Sequence, residues 1–88
     1  MHADQVLHDQ IRSFMLLTFP AAKKRAIDDD FPLLDSGIID SLGTLDVVAF
    51  VERSFGIEVS DDDLTPENFA SIRALATFVQ RKTEVPAE

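Results

Sequence analysis

The stretch Gly37-Ile38-Ile39-Asp40-Ser41-Leu42-Gly43 contains the residue best suited to chemistry in this 88-residue sequence. A loop rich in turn formers there hands over to an apolar-periodic segment, and Ser41 stands at the junction, after an acid and before a leucine. A hydroxyl so placed can serve as a nucleophile, as an attachment point or only as a helix cap. A hydrolytic serine needs a Gly-x-Ser-x-Gly elbow or an equivalent, and a histidine to take its proton. Ser41 has no such frame, and His2 and His8 fall near the amino terminus, where solvated side chains are expected. No catalytic residue is therefore assigned. Asp40 is placed to cap the helix that Ser41 opens, and Gly37 gives the preceding loop a position that tolerates positive φ and helps aim Ser41 outward.

Other chemistries are poorly supplied. The absence of cysteine removes disulfides, thiolate metal sites and cysteine nucleophiles, so any thiol must come from a prosthetic group. Calcium loops starting at Asp28 or Asp61 fail, because Leu33 and Ile39, or Pro66 and Ile72, occupy the positions that require glycine and glutamate. His2, Asp4, His8 and Asp9 make a weak metal set at best, and no metal is assigned. A net charge of −8 argues against nucleic acid, since the basic cluster is confined to Lys23-Lys24-Arg25. There is no apolar run of transmembrane length and no basic-then-apolar start, so a soluble, cytoplasmic protein is expected; a monomer is the expected state.

The elements that must position Ser41 follow from apolar spacing. Asp4 is read as the N-cap of a first helix to Thr18, with Leu7, Ile11, Phe14 and Met15 facing the core. Pro20 ends it, and a long connection from Phe19 to Asp40 follows, with a short turn through Ala21 to Ile27. Phe31, Leu33, Leu34, Ile38 and Ile39 are available to pack that connection down. The second helix runs from Ser41 to Phe55, with Leu45, Val48, Val51 and Phe55 as its core and Val47 and Phe50 widening the stripe. Gly56 closes it, with Ile57 making the apolar contact of a Schellman motif. Ser60 with Asp61, Asp62 and Asp63 reads as a capping box, and Thr65-Pro66-Glu67 as a competing start, giving one short third helix. Ser71 caps the last helix, in which Ile72, Leu75, Ala76 and Val79 share a face and Arg81 and Lys82 favour the carboxyl end. The sequence thus predicts an all-α four-helix bundle with three longer helices, one short one and a long first connection. Residues 1–82 form a single domain, and 83–88 a frayed tail. A chain this short buries only about 60–65% of its unfolded surface, so a large enclosed active site is not expected.

The segment Leu33-Leu34-Asp35-Ser36-Gly37-Ile38-Ile39-Asp40-Ser41-Leu42 resembles the phosphopantetheine attachment region of acyl and peptidyl carrier proteins. The likeness continues through Phe50 to Val59 and, with the helix pattern, covers most of the chain. It implies an acyl-carrier-protein-like bundle in which Ser41 receives a 4′-phosphopantetheine arm from coenzyme A, with Asp40 and Leu42 as its recognition context. The implied partners are a phosphopantetheinyl transferase, a loading ligase and the enzymes that accept the acyl or aminoacyl thioester. A phosphodiester at a helix start lies near free backbone N–H groups and the positive end of the dipole, a contribution of roughly 0.3–1 kcal/mol. Acidic residues Asp46, Glu52, Asp61, Asp62 and Asp63, with apolar Ala49, form the expected partner surface. Two departures from the commoner fatty-acid carrier pattern, Gly43 after Asp-Ser-Leu and Arg53 within the acidic helix, suggest a specialised standalone carrier. The competing reading is a helical interaction module without a prosthetic group, binding through the second helix and Lys23-Lys24-Arg25.

Overall fold

In the computed structural model, which describes residues 2–25 and 27–84, every regular element of the described residues is a helix, without strands. In order come α1 (His2–Thr18), α2 (Pro20–Arg25), α3 (Ser41–Phe55), a 3-10 turn (Asp61–Asp63), α4 (Pro66–Phe69) and α5 (Ile72–Glu84). The three longer helices are the expected ones. The last helix is the hub: α1, α3 and α4 all pack on α5. Ile72, Leu75, Ala76, Phe78 and Val79 are all buried, so Phe78 widens the anticipated stripe and meets Phe69 of α4 at a ring separation of 6.2 Å.

The boundaries correct several expectations. The first helix begins at His2, so Asp4 lies inside it and is not its N-cap. The interruption at Phe19 is a single residue, because Pro20 takes the first position of α2, where its missing N–H is no loss. Helix α2 therefore spans Pro20–Arg25 in place of the expected Ala21–Ile27 turn. Both competing starts in the acidic segment are used. Asp63 accepts the Ser60 N–H at 3.0 Å to close the 3-10 turn, and Thr65 Oγ1 accepts the Asn68 N–H at 3.4 Å to open α4 with Pro66 at its start. One short third helix thus becomes two short elements. Ser71 caps α5 as anticipated, its Oγ accepting the Ala74 N–H at 3.0 Å. Thr83 and Glu84 lie within that helix; the remainder of the expected tail lies outside the described residues.

The long connection is packed down as its apolar residues suggest. Leu33, Ile38 and Ile39 are buried, and Phe31 and Leu34 rest against the core. Several of its polar groups are paired as well. Leu33 N–H donates to Ala70 O at 2.8 Å, and Asp29 O accepts the Arg73 N–H, an orphan donor of the first turn of α5, at 2.8 Å. Asp29 pairs with Arg12 and lies 3.2 Å from His8 Nδ1, while Asp30 pairs with Arg73 at 2.7 Å. His8 is thus half-buried against the loop, contrary to the solvated terminal position expected of it. The side chains of His2 and Asp4 lie outside the described residues.

At the other end of the molecule Lys82 Nζ donates to Asp63 Oδ2 at 2.8 Å. That bond, helped by the Ser60 N–H, holds the Asp63 carboxyl below its ordinary value. A carboxyl lowered in the folded state contributes stability that is complete above its unfolded value and is lost as pH falls through the folded value. Lys82→Met should therefore raise the Asp63 titration midpoint, which a carbon-detected NMR titration of the side-chain carboxyl reads directly.

Candidate functional site

The junction is built from an abrupt change of backbone direction. Gly37 has φ +84°, the left-handed conformation expected there, and its N–H donates to Leu34 O at 3.1 Å. Ile39 then turns its N–H back onto Leu33 O at 3.1 Å, burying Ile38 and Ile39. Asp40 follows in extended backbone, and its Oδ1 accepts the Gly43 N–H at 2.7 Å, the expected N-cap. Its carbonyl takes both the Thr44 N–H at 2.8 Å and the Thr44 hydroxyl at 3.0 Å.

Ser41 is the first residue of α3 and is exposed. Among the described residues its hydroxyl has no hydrogen-bond partner. Because Asp40 engages Gly43, the N–H groups of Ser41 and Leu42 are also left open at the positive end of the helix. This combination suits a phosphodiester on Ser41 Oγ, since unpaired amides and no competing acid in the first turn surround it. His8, the described histidine, is engaged with Asp29 on the far side of the loop.

The interior face of α3 is shifted from the expected one. Gly43, Val47 and Val51 are buried, Val48, Phe50 and Phe55 are half-buried, and Leu45, taken from its spacing as core, is 59% exposed. The reason is a close approach at Gly43. A Cβ there would stand 2.9 Å from Phe19 Cε1, so the missing side chain lets the Phe19 ring sit on the first turn and rotates the i, i+4, i+8 stripe inward. Phe19 meets Phe14 edge-on at 6.1 Å, Phe14 stacks on Phe50 at 4.1 Å, and Phe50 meets Phe55 edge-on at 5.7 Å. Phe14, read as core, is accordingly half-buried in this row of rings.

Leu45 consequently joins Leu42, 74% exposed, and exposed Asp46 and Ala49 on the outer face beside Ser41. Asp61 and Asp62 are exposed as well. Two of the acidic residues assigned to that surface are instead engaged within the chain: Glu52 Oε2 accepts the Val59 N–H at 2.9 Å, and Asp63 pairs with Lys82. Sequence reasoning missed Leu45 and Leu64 as exposed apolar residues; the i, i+3 spacing of Leu42 and Leu45 was the available signal. After α3, Gly56 adopts φ +67° and donates to Glu52 O at 3.0 Å, the single bond of the αL motif rather than the Schellman pair expected, with Ile57 packed on the core.

Comparison with known proteins shows the family. Residues 18–79 match the family described as the phosphopantetheine attachment site. The chain is 24% identical over 83 residues to a probable acyl carrier protein, PigG, of Serratia sp. (strain ATCC 39006), covering 94% of this chain and 95% of that one. Among solved structures it is similar to a chain from a crystal structure of an FAD-dependent dehydrogenase, with a TM-score of 0.60 and 28% identity over 64% of this chain and 79% of that chain.

Replacing the cap tests the junction. Asp40→Ala should lower stability by about 1 kcal/mol in urea denaturation. Asp40→Asn, which keeps an acceptor for the Gly43 N–H, should recover most of the loss.

Proposed function

The chain belongs to the phosphopantetheine attachment site family, which carries 4′-phosphopantetheine covalently, and from that premise we propose that Ser41 is the attachment point of an acyl or aminoacyl carrier. The observation that carries the reading is the exposed Ser41 hydroxyl, unpartnered among the described residues, at the start of α3, beside two open amides and the N-cap Asp40. Bound there, the arm supplies a terminal thiol that holds a carboxylic acid as a thioester. The chain itself holds the serine outside the fold, keeps the first turn of α3 rigid and contributes no acid or base. Modification by a transferase joins Ser41 Oγ to the pantetheine-side phosphorus of coenzyme A; the pyrophosphate bond breaks, 3′,5′-ADP leaves, and the serine proton passes to the transferase.

Docking uses the outer face of α3. Leu42, Leu45 and Ala49 supply apolar contact, and Asp46, Asp61 and Asp62 supply charge that steers basic partner surfaces. Glu52 and Asp63, though assigned to the same surface, act first within the fold. The partners are the transferase, a loading ligase and acyl-accepting enzymes. A flavin-dependent dehydrogenase belongs with them: the aligned stretch is a larger share of the matched solved chain than of this one, so that chain is the shorter, and too small to hold a flavin domain of its own. The carrier acts as a monomer in the cytoplasm. No helix among the described residues is long and apolar enough to cross a membrane.

Incubation of the purified chain with coenzyme A, magnesium and a permissive phosphopantetheinyl transferase should add one phosphopantetheine by intact mass. Ser41→Ala should show no mass change. A wild-type chain left unmodified by several transferases would instead favour a helical interaction module without a prosthetic group.

A further inference from the structure

We propose that Phe19 is a positioning residue for the modification of Ser41, acting through its contact with Gly43. The inference rests on the carrier reading and extends it to a residue outside the Asp-Ser-Leu segment. Phe19 lies in the one-residue break between α1 and α2, where its N–H donates to Met15 O and its carbonyl accepts the Ala22 N–H, both at 2.9 Å. Its backbone is thus fixed from both sides.

The ring fills the space that a side chain at position 43 would take. A Cβ on Gly43 would come within 2.9 Å of Phe19 Cε1 and 3.3 Å of Cζ, and within 3.2 Å of Asp40 Oδ1. The contact therefore bears on the same turn whose N–H the Asp40 carboxylate accepts. Glycine is otherwise a poor choice inside a helix, which makes the close approach the physical reason for it. Nor is the ring free to retreat, because Phe14 meets its edge and is itself stacked on Phe50 with an interplanar angle of 10°.

Phe50 belongs to α3, two turns beyond Gly43. The row of rings leaves α3 at Gly43, passes through Phe19 and Phe14, and returns to α3 at Phe50. Contact at two levels fixes both the tilt and the rotation of the helix against the end of α1. Ser41 precedes Gly43 by two residues on that first turn, so the rotation sets where its hydroxyl points. A transferase that must bring coenzyme A phosphorus in line with Ser41 Oγ is sensitive to that direction.

Steady-state transfer from coenzyme A, with intact mass as the readout, should be measured for wild type, Gly43→Ala, Phe19→Leu and the double variant. Circular dichroism at the assay temperature establishes that each is folded. Gly43→Ala should lower kcat on the order of tenfold with KM little changed, since the misplacement acts on the reacting hydroxyl rather than on docking. Phe19→Leu alone should lower kcat less. Combined with Gly43→Ala, it makes room for the new Cβ and should bring kcat back to within about threefold of wild type, a non-additive result expected of residues in contact. Single variants that lose thermal stability but keep the wild-type kcat would overturn the proposal, as would a double variant whose loss is the product of the single losses. Should Gly43→Ala not fold, Phe19→Leu decides alone: a reduced kcat supports the positioning role and an unchanged one overturns it. Failure of the wild type itself to be modified would strike the carrier reading, and this proposal with it.

Discussion

The arrangement hangs on Leu33. Its side chain is wholly buried, its N–H is bonded to Ala70 just before α5, and its carbonyl accepts both the Ile39 N–H at 3.1 Å and the Ser36 hydroxyl at 3.3 Å. One residue thereby ties the long connection to the hub helix and closes the loop that ends at Asp40. A loop carrying many backbone polar groups lies against an apolar core at lower cost where those groups are paired, and here Leu33, Ser36, Gly37 and Ile39 donate locally or to Ala70 while Asp29 O accepts from Arg73 of α5. The serine is consequently presented from a hydrogen-bonded, partly buried edge although it stands at the end of a long irregular segment.

Charge reinforces the same anchoring. In a chain of net charge −8, Asp29, Asp30 and Asp63 are each matched to a cation from another element: Arg12, Arg73 and Lys82. The pairs are partly or largely exposed, so each contributes little to stability on its own. Their value lies in register: the pairs of Asp29 and Asp30 fix which part of the connection meets α1 and which meets α5, and that of Asp63 ties the 3-10 turn to α5. Asp46, Asp61 and Asp62 are exposed and left unmatched among the described residues. The same chain thus divides its acidity between internal pairing and solvent-facing charge.

Two short pieces of sequence carry features that spacing alone does not rank. Leu45 and Val47 both fit a helical stripe with Val51, and only the placement of α1 decides between them. Gly43 looked like a simple departure from a family pattern; in the fold it is the gap that accepts Phe19. Glu52 looked like docking charge and is an acceptor for the Val59 N–H beyond the helix end. In each case the deciding neighbour is distant in sequence or lies across a turn, where periodicity has no information.

Local signals determined a good deal. The start of α3, its Asp40 cap, the left-handed Gly37 and Gly56, the Ser71 cap and the exposed position of Ser41 are consequences of residue types within a few positions of one another, and the sequence by itself specified them. The Asp-Ser-Leu segment and its surroundings likewise carried the family resemblance that the comparison sustains. Only the tertiary structure decided which face of α3 turns inward, which acids are already engaged, and that a phenylalanine from the end of α1 sits on the turn that carries the serine. Those outcomes depend on which side chains meet across helices, and close packing allows one arrangement where the sequence pattern permits several.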